Sequence, residues 1–150
     1  MSVTLLIQDA RWKRQRGLKT ALLRAVKDAL VRGGAGAKAD LTLLLTTDRH
    51  VKTLNRKFRG KDAATNVLSF PAGMKTYLGD VAIAYGVAAK EAKAEGKPLV
   101  DHAVHLAVHG VLHLQGFDHH TQRQAAEMEP LEAVILKRFG IADPYRERCA

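Results

Sequence analysis

A chain of 150 residues, 47% hydrophobic and 26% charged, has the make-up of one soluble globular domain and leaves little room for a second. It holds no apolar run of about 18 residues, which excludes a membrane-spanning helix. Its one cysteine, Cys149, excludes an internal disulfide. The formal net charge of +9 is unevenly spread: residues 1–40 carry nine Lys/Arg against three Asp/Glu, and residues 48–61 carry six against one. Such a surface attracts polyanions such as nucleic acid, although a solubilising face has the same composition. The N-terminal MSVTLLIQDARWKRQ sets its apolar run before its charges, the reverse of a secretory signal. The expected location is therefore cytoplasmic, in a reducing compartment.

In chain order, the β-branched and apolar run Val3–Gln8 predicts a first strand. From Gln15 to Arg32, Leu18, Leu22, Ala25, Val26, Ala29 and Leu30 recur at helical spacing, and Gly33-Gly34 ends that helix. Leu41–Thr46 reads as a strand apolar enough to be buried on both faces. Asp48 is placed to cap a helix whose apolar side holds Val51, Leu54 and Phe58 and which ends near Gly60. Asn66–Phe70 and Leu78–Ala84 are strands joined by a Gly73-containing hairpin. Gly86–Glu95 is an alanine-rich helix closed by Gly96, and Pro98 opens a long helix that must stop at Gly116. Thr121 and Gln124 form a capping-box pattern for a last helix, with Pro130 inside it and Gly140 at its end. Four strands mixed with about five helices indicate a layered α/β or α+β domain.

All the histidines but His50 lie between positions 102 and 120. His109 and His113 are four apart, so a helix stacks them on one face. Gly116 then lets the chain turn back and bring His119 to the same point. Three neutral imidazoles with a fourth position open form a catalytic type of site for one zinc ion. The spacing His109-x3-His113-x2-Gly116-x2-His119 matches that of metzincin peptidases, which place a glutamate general base directly after the first histidine. Here that residue is Gly110, so a peptidase mechanism has no proton acceptor. His102 and His105 read as surface or packing residues on the same helix. Asp118 is a candidate to hydrogen-bond a ligand imidazole, or a turn-forming aspartate.

The segment VHGVLHLQGFDH (Val108–His119) resembles the zinc signature of the YbeY family of bacterial rRNA-maturation endoribonucleases. FRGKDAATNVLSFP (Phe58–Pro71), LGDVAIA (Leu78–Ala84) and, more weakly, AAEMEPLE (Ala125–Glu132) match the same family in order and spacing. The resemblance implies a single α+β domain over 1–150. Its centre is a four-stranded mixed sheet with about five surrounding helices, and its zinc-binding helix lies near the C-terminal third. It implies zinc-dependent cleavage of single-stranded RNA, in maturation of the 3′ end of small-subunit (16S) rRNA and in ribosome quality control. The partners implied are single-stranded RNA, rRNA and the ribosomal small subunit, with no membrane. It implies zinc held by His109, His113 and His119, and a catalytic arginine at Arg59.

RNA cleavage requires a nucleophile, stabilisation of phosphate charge, and help for the leaving oxygen. A three-histidine zinc supplies Lewis acidity and lowers the pKa of its water to about 7. Arg59 is permanently cationic, and its planar fork matches phosphate oxygens two at a time. Lys61 is a candidate substrate-binding point charge. Thr65, Asn66 and Ser69 are either groove-lining residues or ordinary turn and strand residues, and Asp80 is a partner to the site or a strand-start residue. Tyr77, Tyr85 and Phe117 are candidates for base stacking or for the core. No general base is evident beyond the zinc-bound water. That gap sustains an alternative, a non-catalytic zinc-stabilised ribosome-assembly or RNA-binding factor.

Overall fold

The computed structural model describes residues 1–74, 76–118 and 121–145; Cys149 and His119 lie outside them. Ten elements follow in order: β1 (Ser2–Ile7), α1 (Ala10–Lys13), α2 (Leu18–Arg32), β2 (Asp40–Thr46), α3 (Asp48–Arg59), β3 (Val67–Pro71), β4 (Tyr77–Ala84), α4 (Tyr85–Ala94), α5 (Leu99–Leu114) and α6 (Gln122–Arg138). The strands form one mixed sheet in the order β1-β2-β4-β3. β1, β2 and β4 run parallel, and β3 returns antiparallel to β4 with Ser69 opposite Val81. The four expected strands are all present, and the helices are one more than expected. The sixth is the four-residue α1, capped by the Asp9 side chain, which accepts from the Arg11 backbone N–H at 2.9 Å. It seats Trp12 in the core at 1% exposure, where the indole N–H donates to the Thr46 carbonyl at 3.1 Å.

Alternation sorts the strand side chains onto two faces. Val3, Leu5 and Ile7 of β1, Leu41, Leu43 and Leu45 of β2, and Val81 and Ile83 of β4 join the apolar faces of α2 and α5 in the main core. The opposite face is covered in part by α3, through Val51 and Leu54 against Leu44, Leu68, Phe70, Ala82 and Ala84. β2 is therefore fully buried on one face only, contrary to the two-sided burial its apolar run suggested; Thr42 and Leu44 are half-buried. The uncovered part of that face is a groove of about 770 Å³.

Two local expectations change. Thr47, not Asp48, caps α3, its hydroxyl accepting from the His50 N–H at 3.1 Å. Asp48 instead accepts the Val87 N–H at 3.0 Å and so caps the first turn of α4. Phe58 is 61% exposed rather than buried with Val51 and Leu54; at the last turn of α3 its ring packs edge-on against Phe70, with centroids 5.6 Å apart. The capping box of α6 forms as expected, with Thr121 and Gln124 exchanging two 3.1 Å hydrogen bonds. The helix continues through Pro130. The lost backbone bond costs about 3 kcal/mol, and burial of Met128, Ile135 and Leu136 against the core offsets it.

Candidate functional site

α5 carries four of the six histidines of the cluster, His102, His105, His109 and His113. Its apolar residues recur at helical spacing, and its close seat on the sheet is made possible by Gly110. A Cβ there would lie 2.6 Å from Val81 Cγ1 and 3.0 Å from Ser69 Oγ. A glutamate at this position, as a peptidase would need, has no space. Instead the Gly110 carbonyl accepts a 3.1 Å hydrogen bond from Ser69 Oγ, which ties the helix to β3.

The helix ends where the histidine spacing requires. Gly116 takes φ +96°, the Phe117 N–H returns to the Leu112 carbonyl at 3.1 Å and the Gly116 N–H to His113 at 3.0 Å. This paired closure satisfies two terminal carbonyls and turns the chain back over the helix end. His102, His105, His109 and His113 form a line of rings along one face of α5, with neighbouring centroids 4.6 to 6.4 Å apart.

At the C-terminal end of that line, His109 Nε2 and His113 Nε2 converge to 3.1 Å. Two nitrogens bound to one tetrahedral zinc at ~2.0–2.1 Å each lie about 3.3 Å apart, so this pair fits the metal. The third predicted ligand, His119, lies outside the described residues. Among the described residues no group of three or more His, Cys, Asp or Glu is placed to hold an ion.

Behind His109 stands Glu132 of α6, with 0% exposure. Its Oε1 lies 2.8 Å from His109 Nδ1, and its Oε2 accepts from the Tyr145 hydroxyl at 2.8 Å and lies 3.3 Å from His105 Nε2. Burial alone raises a carboxyl pKa, but the contacts with His105, His109 and Tyr145 outweigh it and hold Glu132 down at about 2. His105 is thus part of the site rather than a surface or packing residue. His102 is not: it is buried at 3% exposure and pairs with Glu91 at 2.9 Å. Burial lowers its pKa more than Glu91 raises it.

Arg59 reaches the same cavity from the end of α3. Its guanidinium Nη2 donates to the Ser69 carbonyl at 3.2 Å, the residue whose hydroxyl binds Gly110. Arg59 and α5 are therefore registered through one strand residue. The loop behind Arg59 is held by buried Asn55, whose side-chain amide donates to the Ala63 carbonyl at 2.9 Å. The cavity is about 710 Å³, and His105, His109, His113, Arg59, Ser69 and Tyr145 are in its wall. Asp118, a candidate partner of a ligand imidazole in the sequence, lines it too, and Glu129 adds a carboxylate that sequence reasoning did not assign to the site.

Other candidates fall elsewhere. Lys61 is exposed and does not line the cavity. Asn66 lines it but is engaged structurally, donating to Glu91 at 3.1 Å and accepting from the Val67 N–H at 2.7 Å. Thr65 does not line it. Asp80 accepts a short hydrogen bond from Tyr77 and lines the groove on the opposite face of the sheet, so it is no partner to the histidines. Tyr85 packs edge-on against Trp12, with ring centroids 5.1 Å apart, and Phe117 packs on the core while lining the cavity. Tyr145 belongs to no motif, and Glu132, the last residue of the AAEMEPLE match (Ala125–Glu132), was not singled out there as a site residue. The one signal was a glutamate on the core-facing side of the last helix.

Residues 7–140 match the family model described as Endoribonuclease YbeY. Relatives named Endoribonuclease YbeY include one from Rhodopseudomonas palustris, 46% identical, covering 94% of this chain and 79% of the relative. Another, from Chelativorans sp., is 45% identical and covers 89% of this chain and 86% of its own length. The fold is also that of a protein from Thermotoga maritima solved in solution, with a TM-score of 0.56 at 21% identity, covering 95% of this chain and 97% of that one. With the model matching most of its length and relatives of this identity, the chain belongs to the Endoribonuclease YbeY family.

Proposed function

We propose that the protein is a metal-dependent endoribonuclease that cuts single-stranded RNA in the cavity between α5 and β3. The observation that carries this is the convergence of His109 and His113 Nε2 at 3.1 Å in a cavity that Arg59 also lines. With His119 they would hold one zinc ion. Bound there, zinc would supply Lewis acidity and a nucleophile available near neutral pH. Arg59 binds a phosphate oxygen and meets the charge that develops on the phosphorus centre. Asp118 and Glu129 are the residues of the wall able to accept or return a proton. The basic residues of α3, among them Arg56 and Lys57, hold the strand by its phosphates, so binding weakens as salt rises.

The finer assignment is maturation of the 3′ end of 16S rRNA in the cytoplasm, with a role in ribosome quality control and the small subunit as partner. It rests on the zinc signature Val108–His119 and on family membership. The carboxylates of Asp118 and Glu129 in the cavity wall support the catalytic reading over a non-catalytic assembly factor, since a proton acceptor is what the sequence lacked.

The test is cleavage of an end-labelled single-stranded RNA, with and without chelator, by the wild type and Arg59→Ala. Cleavage lost with chelator and lost in the folded, metal-loaded variant is the expected result. RNA binding without cleavage by a wild type carrying one zinc would favour the assembly factor instead.

A further inference from the structure

A carboxylate removed from water is costly unless its oxygens are hydrogen-bonded. Glu132 is fully buried, and three residues hold its oxygens: His105 and His109 on α5, and Tyr145 beyond α6. No lysine or arginine is paired with it among the described residues, so its charge is matched only through imidazole and phenol groups. An apolar residue of the same size would fill this position without that cost. What the carboxylate adds is direction. A neutral imidazole carries one N–H, and the nitrogen opposite it carries the lone pair. With Nδ1 of His109 against Glu132 at 2.8 Å, the N–H belongs there and the lone pair falls on Nε2, the atom that faces His113 Nε2.

We propose that Glu132 is the positioning residue of the metal centre: it holds His109 in the Nδ1–H form and aims its Nε2 lone pair into the site. Tyr145 and His105 fix the carboxylate in turn, through its other oxygen. A carboxylate behind a ligand imidazole also makes the ring a stronger donor. The inference rests on the reading of His109 as a metal ligand.

The experiment uses the full chain. Zinc affinity is measured by competition with a chromophoric chelator for the wild type, Glu132→Gln and Tyr145→Phe, with far-UV circular dichroism on each. Nitrogen-15 shifts of the histidine rings are recorded on the metal-free wild type at a pH where they are neutral. The expected result is a zinc dissociation constant raised about 10- to 100-fold in folded Glu132→Gln. A smaller rise is expected in Tyr145→Phe, and His109 should be in the Nδ1–H form in the wild type. Unchanged affinity in folded Glu132→Gln, or a wild-type His109 in the Nε2–H form, overturns the proposal. If Glu132→Gln does not fold, the wild-type tautomer decides by itself. A wild type that takes up no zinc would refute the metal centre proposed above and this inference with it. A wild type that binds zinc as tightly as Glu132→Gln would refute this inference alone.

Discussion

Gly110→Ala is predicted to destabilise the protein, although in an ordinary helix the same change stabilises. Two effects of opposite sign compete. Alanine in a helix interior is favoured over glycine by ~0.8–1.0 kcal/mol. Against that, the new methyl would sit 2.6 Å from Val81 Cγ1 and 3.0 Å from Ser69 Oγ. Carbon atoms in contact prefer ~3.5–4.0 Å, so α5 must lift from the sheet by about 1 Å. Neither neighbour yields cheaply. Val81 is β-branched and fully buried, and β4 is held between β2 and β3. Overpacking of this kind costs about 1–3 kcal/mol. After the propensity gain, a net loss of up to about 2 kcal/mol remains, or up to roughly 8 °C in melting temperature for a domain of this size. Urea or thermal unfolding of wild type and variant measures it. Adding Val81→Ala to Gly110→Ala should recover part of the loss, with a coupling of about 1 kcal/mol. A Gly110→Ala variant more stable than wild type by the helix-propensity amount would refute the packing account.

Trp12→Ala should cost about 3–5 kcal/mol by urea unfolding, since a buried indole and its bond to the Thr46 carbonyl go together; a loss under about 1 kcal/mol would mean that α1 is dispensable. His102 has its pKa held below the unfolded value by burial, so its contribution to stability is complete above about pH 6.5 and is lost as pH falls from there through the folded pKa. Stability measured by urea unfolding from pH 8 to 5 should therefore fall more steeply on the acid side in the wild type than in His102→Gln, and parallel curves would count against this assignment.

Sequence alone determined the elements whose signals are local. The helical spacing of Leu18 to Leu30 gave α2 its buried face, and the Thr121–Gln124 pair set the start of α6. Gly116 ended α5, because only a residue without Cβ takes φ +96° without strain. The i,i+4 spacing of His109 and His113 placed both rings on one face, since a helix returns to the same side every 3.6 residues. Other features waited on tertiary structure. α1 is a single turn, too short for periodicity to register, and it exists because Trp12 has a core to enter. Whether β2 was covered on one face or two depended on where α3 lay, and whether Phe58 was buried depended on where α3 ended.

The site divides the same way. Arg59 and the histidines were legible as motif residues, but their meeting depends on Ser69, which bonds to both α5 and Arg59. Gly110 could be read as a missing base; only the 2.6 Å approach of Val81 explains why it is glycine. Glu132 lies 23 residues from His109 and meets it only because α6 packs back on α5. A hydrogen bond between residues so far apart has no period and no spacing. It is decided by how the helices dock, which is set by their buried faces and not by the residues that make the bond.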